Sequence, residues 1–319
     1  MANRALAHLL HAAGVFEVSA EEAVDLYFRQ CSLRVTARDL AAMGATEALG
    51  LTVGLVAPSS TPWPWVEGVY QGIAAALQAH GGVLLGGDCS GGAQRLLAIT
   101  ALGRLPAGGG PIRRGDGRPG DLLLCTGPHG LSRLGLAVLL GDPAVPTGPE
   151  PDGAATTSSR RGPPMATVAS PGGGLIQRAI SAHQRPVPRF DAVRALIGCR
   201  PAGMAWRVGG CDSSDGLAAA TAAIARASGC GARLDRTRLP LDPAMAALPQ
   251  AQTWCLNGGE DFELVLALEP AWADALIAAL PGAGLIGELM DAAPGSVGWT
   301  QGGGWPADAV SGSGFQHFR

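Results

Sequence analysis

Along most of the chain, short apolar runs of strand length alternate with segments of helical period, and glycine or another turn residue closes nearly every one. Thr36–Gly44 reads as a short helix stopped by glycine, and Leu49–Ala57 as a buried strand flanked by turn residues. Trp65–His80 carries Val66, Val69, Ile73 and Leu77 at helical spacing and ends at Gly81-Gly82. Val83–Leu85 reads as a strand entering a loop at Gly86-Gly87-Asp88, and Leu96–Leu102 as another strand. Asp121–Cys125 is a strand leading through a glycine turn into a helix over Leu131–Leu140. Further on, Leu217–Ser228 reads as an Ala-rich helix, Phe262–Leu268 as a strand, Ala271–Leu280 as a helix and Leu285–Leu289 as a strand. Such alternation restricts the chain to mixed α/β folds.

The 319 residues are 47% apolar and 15% charged, enough for a sizeable core. At about 150 residues per domain the length points to two domains. One stretch breaks the pattern. Residues 141–174 are rich in Pro, Gly, Ser and Thr, with almost nothing aliphatic before Met165, and read as a flexible, exposed insertion. Residues 1–34 look helical; Arg4, His8 and His11 interrupt the apolar start, which argues against a signal peptide. No apolar run approaches the roughly 18 residues of a membrane span.

The charge balance excludes several function classes. There are 26 acids against 23 bases, without the basic excess of a nucleic-acid binder. All 23 bases are Arg. Without Lys there is no Schiff-base chemistry, no P-loop and no protein-kinase strand Lys. The seven Cys, at 31, 89, 125, 199, 211, 230 and 255, include no Cys-x-x-Cys pair. Neither a disulfide framework nor a zinc site is expected, and a reducing cytoplasm fits better.

Four acidic segments sit at element boundaries: Arg38-Asp39-Leu40, Gly86-Gly87-Asp88, Asp212-Ser213-Ser214-Asp215-Gly216 and Gly258-Gly259-Glu260-Asp261. Carboxylate oxygens suit Mg²⁺, and neighbouring glycines let backbone and phosphate approach. Each segment alone has a plainer reading. Thr36–Asp39 matches a capping box, Ser214-Asp215-Gly216 an N-cap, and Gly-Gly-Asp an ordinary turn.

Together the segments resemble the thiamine-monophosphate kinase family. Asp39-Leu40-Ala41-Ala42-Met43-Gly44 is similar to its Ser-Asp-(Leu/Ile)-Ala-Ala-Met-Gly signature, and Gly86-Gly87-Asp88 to its Gly-Gly-Asp-Thr loop. Arg185-Pro186-Val187-Pro188-Arg189, Asp212–Leu217, Leu239-Pro240-Leu241, Gly258–Leu264 and Gly314–Phe318 follow in the family's order, from about Val35 to the C-terminus. The resemblance implies a two-domain α/β (α+β) fold of the aminoimidazole-ribonucleotide synthetase type. An N-terminal ATP- and metal-binding domain would cover 1–110 and a C-terminal domain 111–319, with dimerisation through an N-terminal β-barrel.

The activity implied is transfer of a phosphoryl group from ATP to thiamine monophosphate, giving thiamine diphosphate. By motif, Asp39, Asp88, Asp212 and Asp215 would hold Mg²⁺. Gly87, Asp88, Arg114 and Ser214 would touch ATP, and Glu260 and Phe315 the thiamine moiety. No protein nucleophile is implied, since phosphoryl transfer needs in-line positioning and charge neutralisation. Two like charges 4 Å apart repel by about 4 kcal/mol at an effective dielectric near 20, so such an acidic cluster calls for cations.

The match is uneven. The family's Gly-Asp-Asp-Ala-Ala, Thr-Asp-Thr and Gly-(Val/Asn)-His-Phe segments are not found, and the residues before Val35 do not replace them. Arg38 stands where the family has Ser, Cys89 for Thr, Ser213 for an aliphatic residue and Leu131 for Asp. Two readings follow: an active kinase, or a catalytically impaired nucleotide-binding relative from a truncated or rearranged gene.

Overall fold

Residues 38–42 form a helical turn that leads into the first strand. Gly44, at φ 95°, reverses the chain there, and a Cβ on it would lie 3.0 Å from the Gly110 carbonyl oxygen. The computed structural model describes residues 38–142, 145 and 174–300. The expected helix over 1–34, nearly all of the 141–174 insertion and Phe315 lie outside the described residues.

Strand β1 (Glu47–Ala57) is the centre of a three-stranded sheet. It pairs in parallel with β2 (Val83–Gly91) and antiparallel with β3 (Leu96–Arg104). Between β1 and β2 runs helix α1 (Trp63–His80), with Pro in its first turn and Gly81 at φ 84° closing it. Trp65, Val69 and Ile73 of α1 pack on Leu51, Val53 and Leu55 of β1, the helical and strand periods meeting as patterned. The expected loop at Gly86-Gly87-Asp88 is a correction: β2 continues through it to Gly91. Ladder bonds are made by backbone, so a strand persists where the apolar signal stops. Gly87 is needed at that point, because a Cβ there would overlap the Val53 carbonyl.

The second sheet has six strands in the order β5-β7-β4-β8-β6-β9. These are β4 (Leu122–Cys125), β5 (Gly209–Asp212), β6 (Gly231–Leu234), β7 (Leu264–Leu268), β8 (Gly284–Met290) and β9 (Val297–Trp299). Alternate residues of β4 and β7 serve two cores. Leu123, Val265 and Ala267 pack under helix α5 (Leu217–Ala227), with Leu217 and Ile224. Leu124, Leu264 and Leu266 pack under α4 (Phe190–Gly198) and α7 (Pro270–Ala279), with Leu196 and Trp272. A sheet covered on both faces explains why these strands are unbroken apolar runs. The strand expected from Phe262 starts at Leu264, because Phe262 is left-handed at φ 55°.

A third core joins α2 (Leu131–Leu139), α3 (Leu175–Gln184) and α6 (Ala251–Asn257) through Leu134, Ala179 and Trp254. Gly135 lets α2 and α3 touch, since a Cβ there would overlap the Ala179 carbonyl. Ala at 135 would gain up to about 1 kcal/mol of helix propensity. Overpacking costs typically 1–3 kcal/mol. We therefore expect Gly135→Ala to lower the melting temperature by several degrees. A scanning-calorimetry midpoint at or above the wild-type value would show that α2 and α3 part freely.

Candidate active site

Strand β5 ends at Asp212, and residues 213–216 turn the chain into α5. The residue at the α5 N-cap is Gly216, at φ 100°, and no side chain caps that helix. The N-cap reading of Ser214-Asp215 is thereby overturned. Asp215 is exposed, and a Cβ on Gly216 would lie 2.8 Å from the Leu256 carbonyl oxygen. Backbone geometry, rather than a side-chain cap, fixes the turn.

This loop interlocks with residues 258–263. Glu260 N donates to Ser214 O at 2.8 Å, and Ser213 N to Glu263 O at 3.0 Å. Gly259, at φ 67°, comes so close that a Cβ would lie 2.8 Å from Ser214 O. Glu260 and Phe262 are non-glycine residues held at φ 58° and 55°. Each such residue costs on the order of 1 kcal/mol and survives only where surrounding contacts hold it.

Asp39 reaches this site from the helical turn at 38–42. Burial, then the charge of Asp212, pushes the Asp39 carboxyl above the usual carboxylate range, while Arg38 opposes the shift. Arg38 is itself buried, its guanidinium carbon 3.1 Å from the centre of the Phe262 ring. Arg114 lies in a 3₁₀ turn beside the start of β5. Burial lifts the Cys211 thiol to about 11, and Arg114 is the first group to oppose it, so its charge reaches the residue before Asp212.

Asp88 and Gly87 sit differently. They lie within exposed β2, opposite Gly54 and Val53 of β1, and Asp88 accepts from Ser90 Oγ at 3.1 Å. The turn bearing Asp39 packs at the other end of β1, where Leu40 meets Gly103, the partner of Ala48. At about 3.3 Å per residue the two ends are roughly 20 Å apart along the strand. The structure therefore puts Asp39 within electrostatic reach of Asp212, keeps Ser214 and Asp215 in the adjoining loop, and holds Gly87 and Asp88 further along the sheet. Among the described residues no three His, Cys, Asp or Glu side chains converge into a metal-holding group. Asp39 and Asp212 are nevertheless the hard oxygen donors that Mg²⁺ accepts, and their proximity is relieved by a cation.

Several working contacts were not singled out from the sequence. The carboxylate of Asp261 accepts from Gly130 N at 2.7 Å and Ser132 N at 3.0 Å, at the N-terminus of α2. That position is electrostatically favourable for an anion. Burial still raises Asp261 to about 7, with the two N–H groups opposing and Glu263 and Glu260 adding. Glu263 pairs with Arg189 and accepts from the Thr126 hydroxyl at 2.5 Å, while Thr126 Oγ1 accepts from Leu264 N at 2.9 Å. Arg189 also donates to Thr126 O and to both oxygens of Asp191. His183 Nδ1 lies 3.0 Å from Ser132 Oγ and 3.5 Å from Glu260 Oε2. Arg189 ended a recognised motif and Asp261 followed Glu260; His183 carried no signal beyond standing two residues before Arg185.

Two family models cover most of the chain: the AIR synthase related protein N-terminal domain over residues 27–105, and its C-terminal domain over 118–299. Fold and site thus define an AIR synthase related protein. A thiamine-monophosphate kinase from Prochlorococcus marinus is 46% identical over 83% of this chain and 72% of its own length. One from Synechococcus elongatus is 42% identical over 79% and 69%. The crystal structure of thiamine-monophosphate kinase from Stenotrophomonas maltophilia K279a aligns with a TM-score of 0.64 at 25% identity, over 86% of this chain and 79% of that one. The chain belongs to the thiamine-monophosphate kinase family.

Asp261 generates a pH prediction. Its folded pKa, about 7, lies above the ordinary 3.8. Between those values the folded state binds the proton more tightly, so this group's stabilising contribution falls as pH rises. Asp261→Asn is expected to flatten the stability profile between about pH 4 and pH 7. Urea titrations of both proteins at several pH values check this; parallel profiles would mean that Asp261 does not titrate in that window.

Proposed function

We propose that this chain transfers the γ-phosphoryl of ATP to thiamine monophosphate, giving ADP and thiamine diphosphate. The observation that carries the reading is the Asp39–Asp212 pair, set against the interlocked Gly-Gly-Glu-Asp loop. Family membership gives the pair its substrates. The alternative of a catalytically impaired nucleotide-binding relative draws no support from a carboxylate pair and an acidic loop both in place.

Mg²⁺ would be held by Asp39 and Asp212, with Asp215 beside them, and Asp88, on β2 further along the sheet, would need a separate ion. When bound it neutralises charge on the transferring phosphoryl. The chain's own residues bind and orient. Arg114, Ser214, Gly87 and Asp88 would face ATP, and Glu260 and Phe315 the thiamine moiety. No side chain forms a covalent intermediate, because catalysis here is positioning and electrostatics.

Asp39→Asn should cut thiamine diphosphate formation at least a hundredfold, about 2.7 kcal/mol of barrier. The melting temperature should hold or rise, because a buried charge that Asp212 disfavours is gone. Chromatographic assay of product, with a melting curve, tests both. A wild-type chain that makes no thiamine diphosphate would sink the kinase reading, and full activity in the variant would remove Asp39 from it.

We further propose a homodimer. Leu97, Ile99 and Ala101 of β3 face the α1 core, whereas Leu96 and Leu102 on the opposite face are 54% and 49% exposed. β2 is exposed along its whole length. Apolar patches and open sheet edges of this kind mark association surfaces. Leu96→Arg with Leu102→Arg should convert a dimer to a monomer in light scattering; an unchanged mass would place the interface elsewhere. No helix among the described residues is long and apolar enough to cross a membrane. The six described Cys are free thiols, which suits the reducing cytoplasm we propose as the location.

A further inference from the structure

Glu260 holds an unusual position. Its backbone is left-handed at φ 58°, yet its side chain is 38% exposed. Ser214 O fixes its backbone. His183, in the last turn of α3, faces its carboxylate with a side chain only 10% exposed. The imidazole Nδ1 stands between Glu260 Oε2, at 3.5 Å, and Ser132 Oγ, at 3.0 Å. Ser132 in turn donates its backbone N–H to Asp261, the neighbour of Glu260. Ser132 therefore links the N-terminus of α2 to both acids of the loop: its backbone N–H binds Asp261, and its hydroxyl contacts the His183 ring that faces Glu260.

We propose that His183 is a positioning residue that orients the Glu260 carboxylate for the cationic thiamine moiety of the substrate. The inference rests on the kinase reading and deepens it. A carboxylate facing Nδ1 selects the ring form that carries its proton there, with Ser132 Oγ as the other neighbour. Burial pulls the ring below its usual pKa, with Glu260 opposing and Arg133 adding to the fall. Near neutral pH the ring is then uncharged. It directs Glu260 without cancelling the negative charge that a thiazolium would meet.

The test is calorimetric binding of thiamine monophosphate and of Mg-ATP to the full chain. His183→Leu should weaken thiamine monophosphate binding about tenfold and leave Mg-ATP affinity unchanged. His183→Asn, whose amide nitrogen can occupy the Nδ1 position, should recover most of the loss. Ser132→Ala should fall between wild type and His183→Leu. Equal weakening of both ligands with a lowered melting temperature would make His183 merely structural and overturn the proposal. So would unchanged thiamine monophosphate affinity in His183→Leu, or an Asn variant no better than Leu. A wild-type chain that binds Mg-ATP but not thiamine monophosphate removes the kinase reading itself, and this inference with it.

Discussion

The site depends on one close backbone approach, that of Gly259 to Ser214. With no side chain in the way, the loop after β5 and the loop before β7 share hydrogen bonds in both directions. Those bonds hold Glu260 and Phe262 in conformations they would not adopt alone. They also bring Asp212 and Glu260 to the same end of the six-stranded sheet. A larger residue at 259 would separate the loops before it disturbed any core.

Around that contact the protein gathers more negative charge than its interior tolerates. Three devices offset it. A helix N-terminus takes Asp261, an Arg and a Thr hydroxyl take Glu263, and Glu260 stays partly exposed to solvent, which screens it. The charge of Asp212 bears on Asp39, and Arg38 opposes it. Like charges gathered in this way are relieved by opposite charge, which the proposed Mg-nucleotide complex would supply. Stability is spent here on function.

The two sheets divide the work. The six-stranded sheet is covered on both faces and is the rigid mount for the loops. In the three-stranded sheet α1 covers one face of β1 and β3, while β2 and the other face of β3 are open to solvent. Asp88 lies on that open strand, about 20 Å along β1 from the Asp39 end. Nucleotide contacts drawn from both sheets would span this distance, as the triphosphate and base of ATP can.

Strand–helix alternation, the glycine stops and the ordered acidic motifs were legible in the sequence because each is local. Apolar period records which face an element buries, and Gly-Gly-Asp or Ser-Asp-Gly records a backbone need at one point. Those signals placed most elements to within a few residues. They failed where backbone pairing overrides composition, as in β2 through Gly86-Gly87-Asp88, and where a left-handed residue delays a strand, as at Phe262. Ser214-Asp215-Gly216 has the composition of a cap, and only tertiary packing against Leu256 showed that the turn is made by glycine. The partners of Asp261 and Glu260 lie on α2 and α3, 129 residues away at Ser132 in the case of Asp261. No local pattern carries such a pairing, because a hydrogen bond across the fold depends on where two elements meet in space.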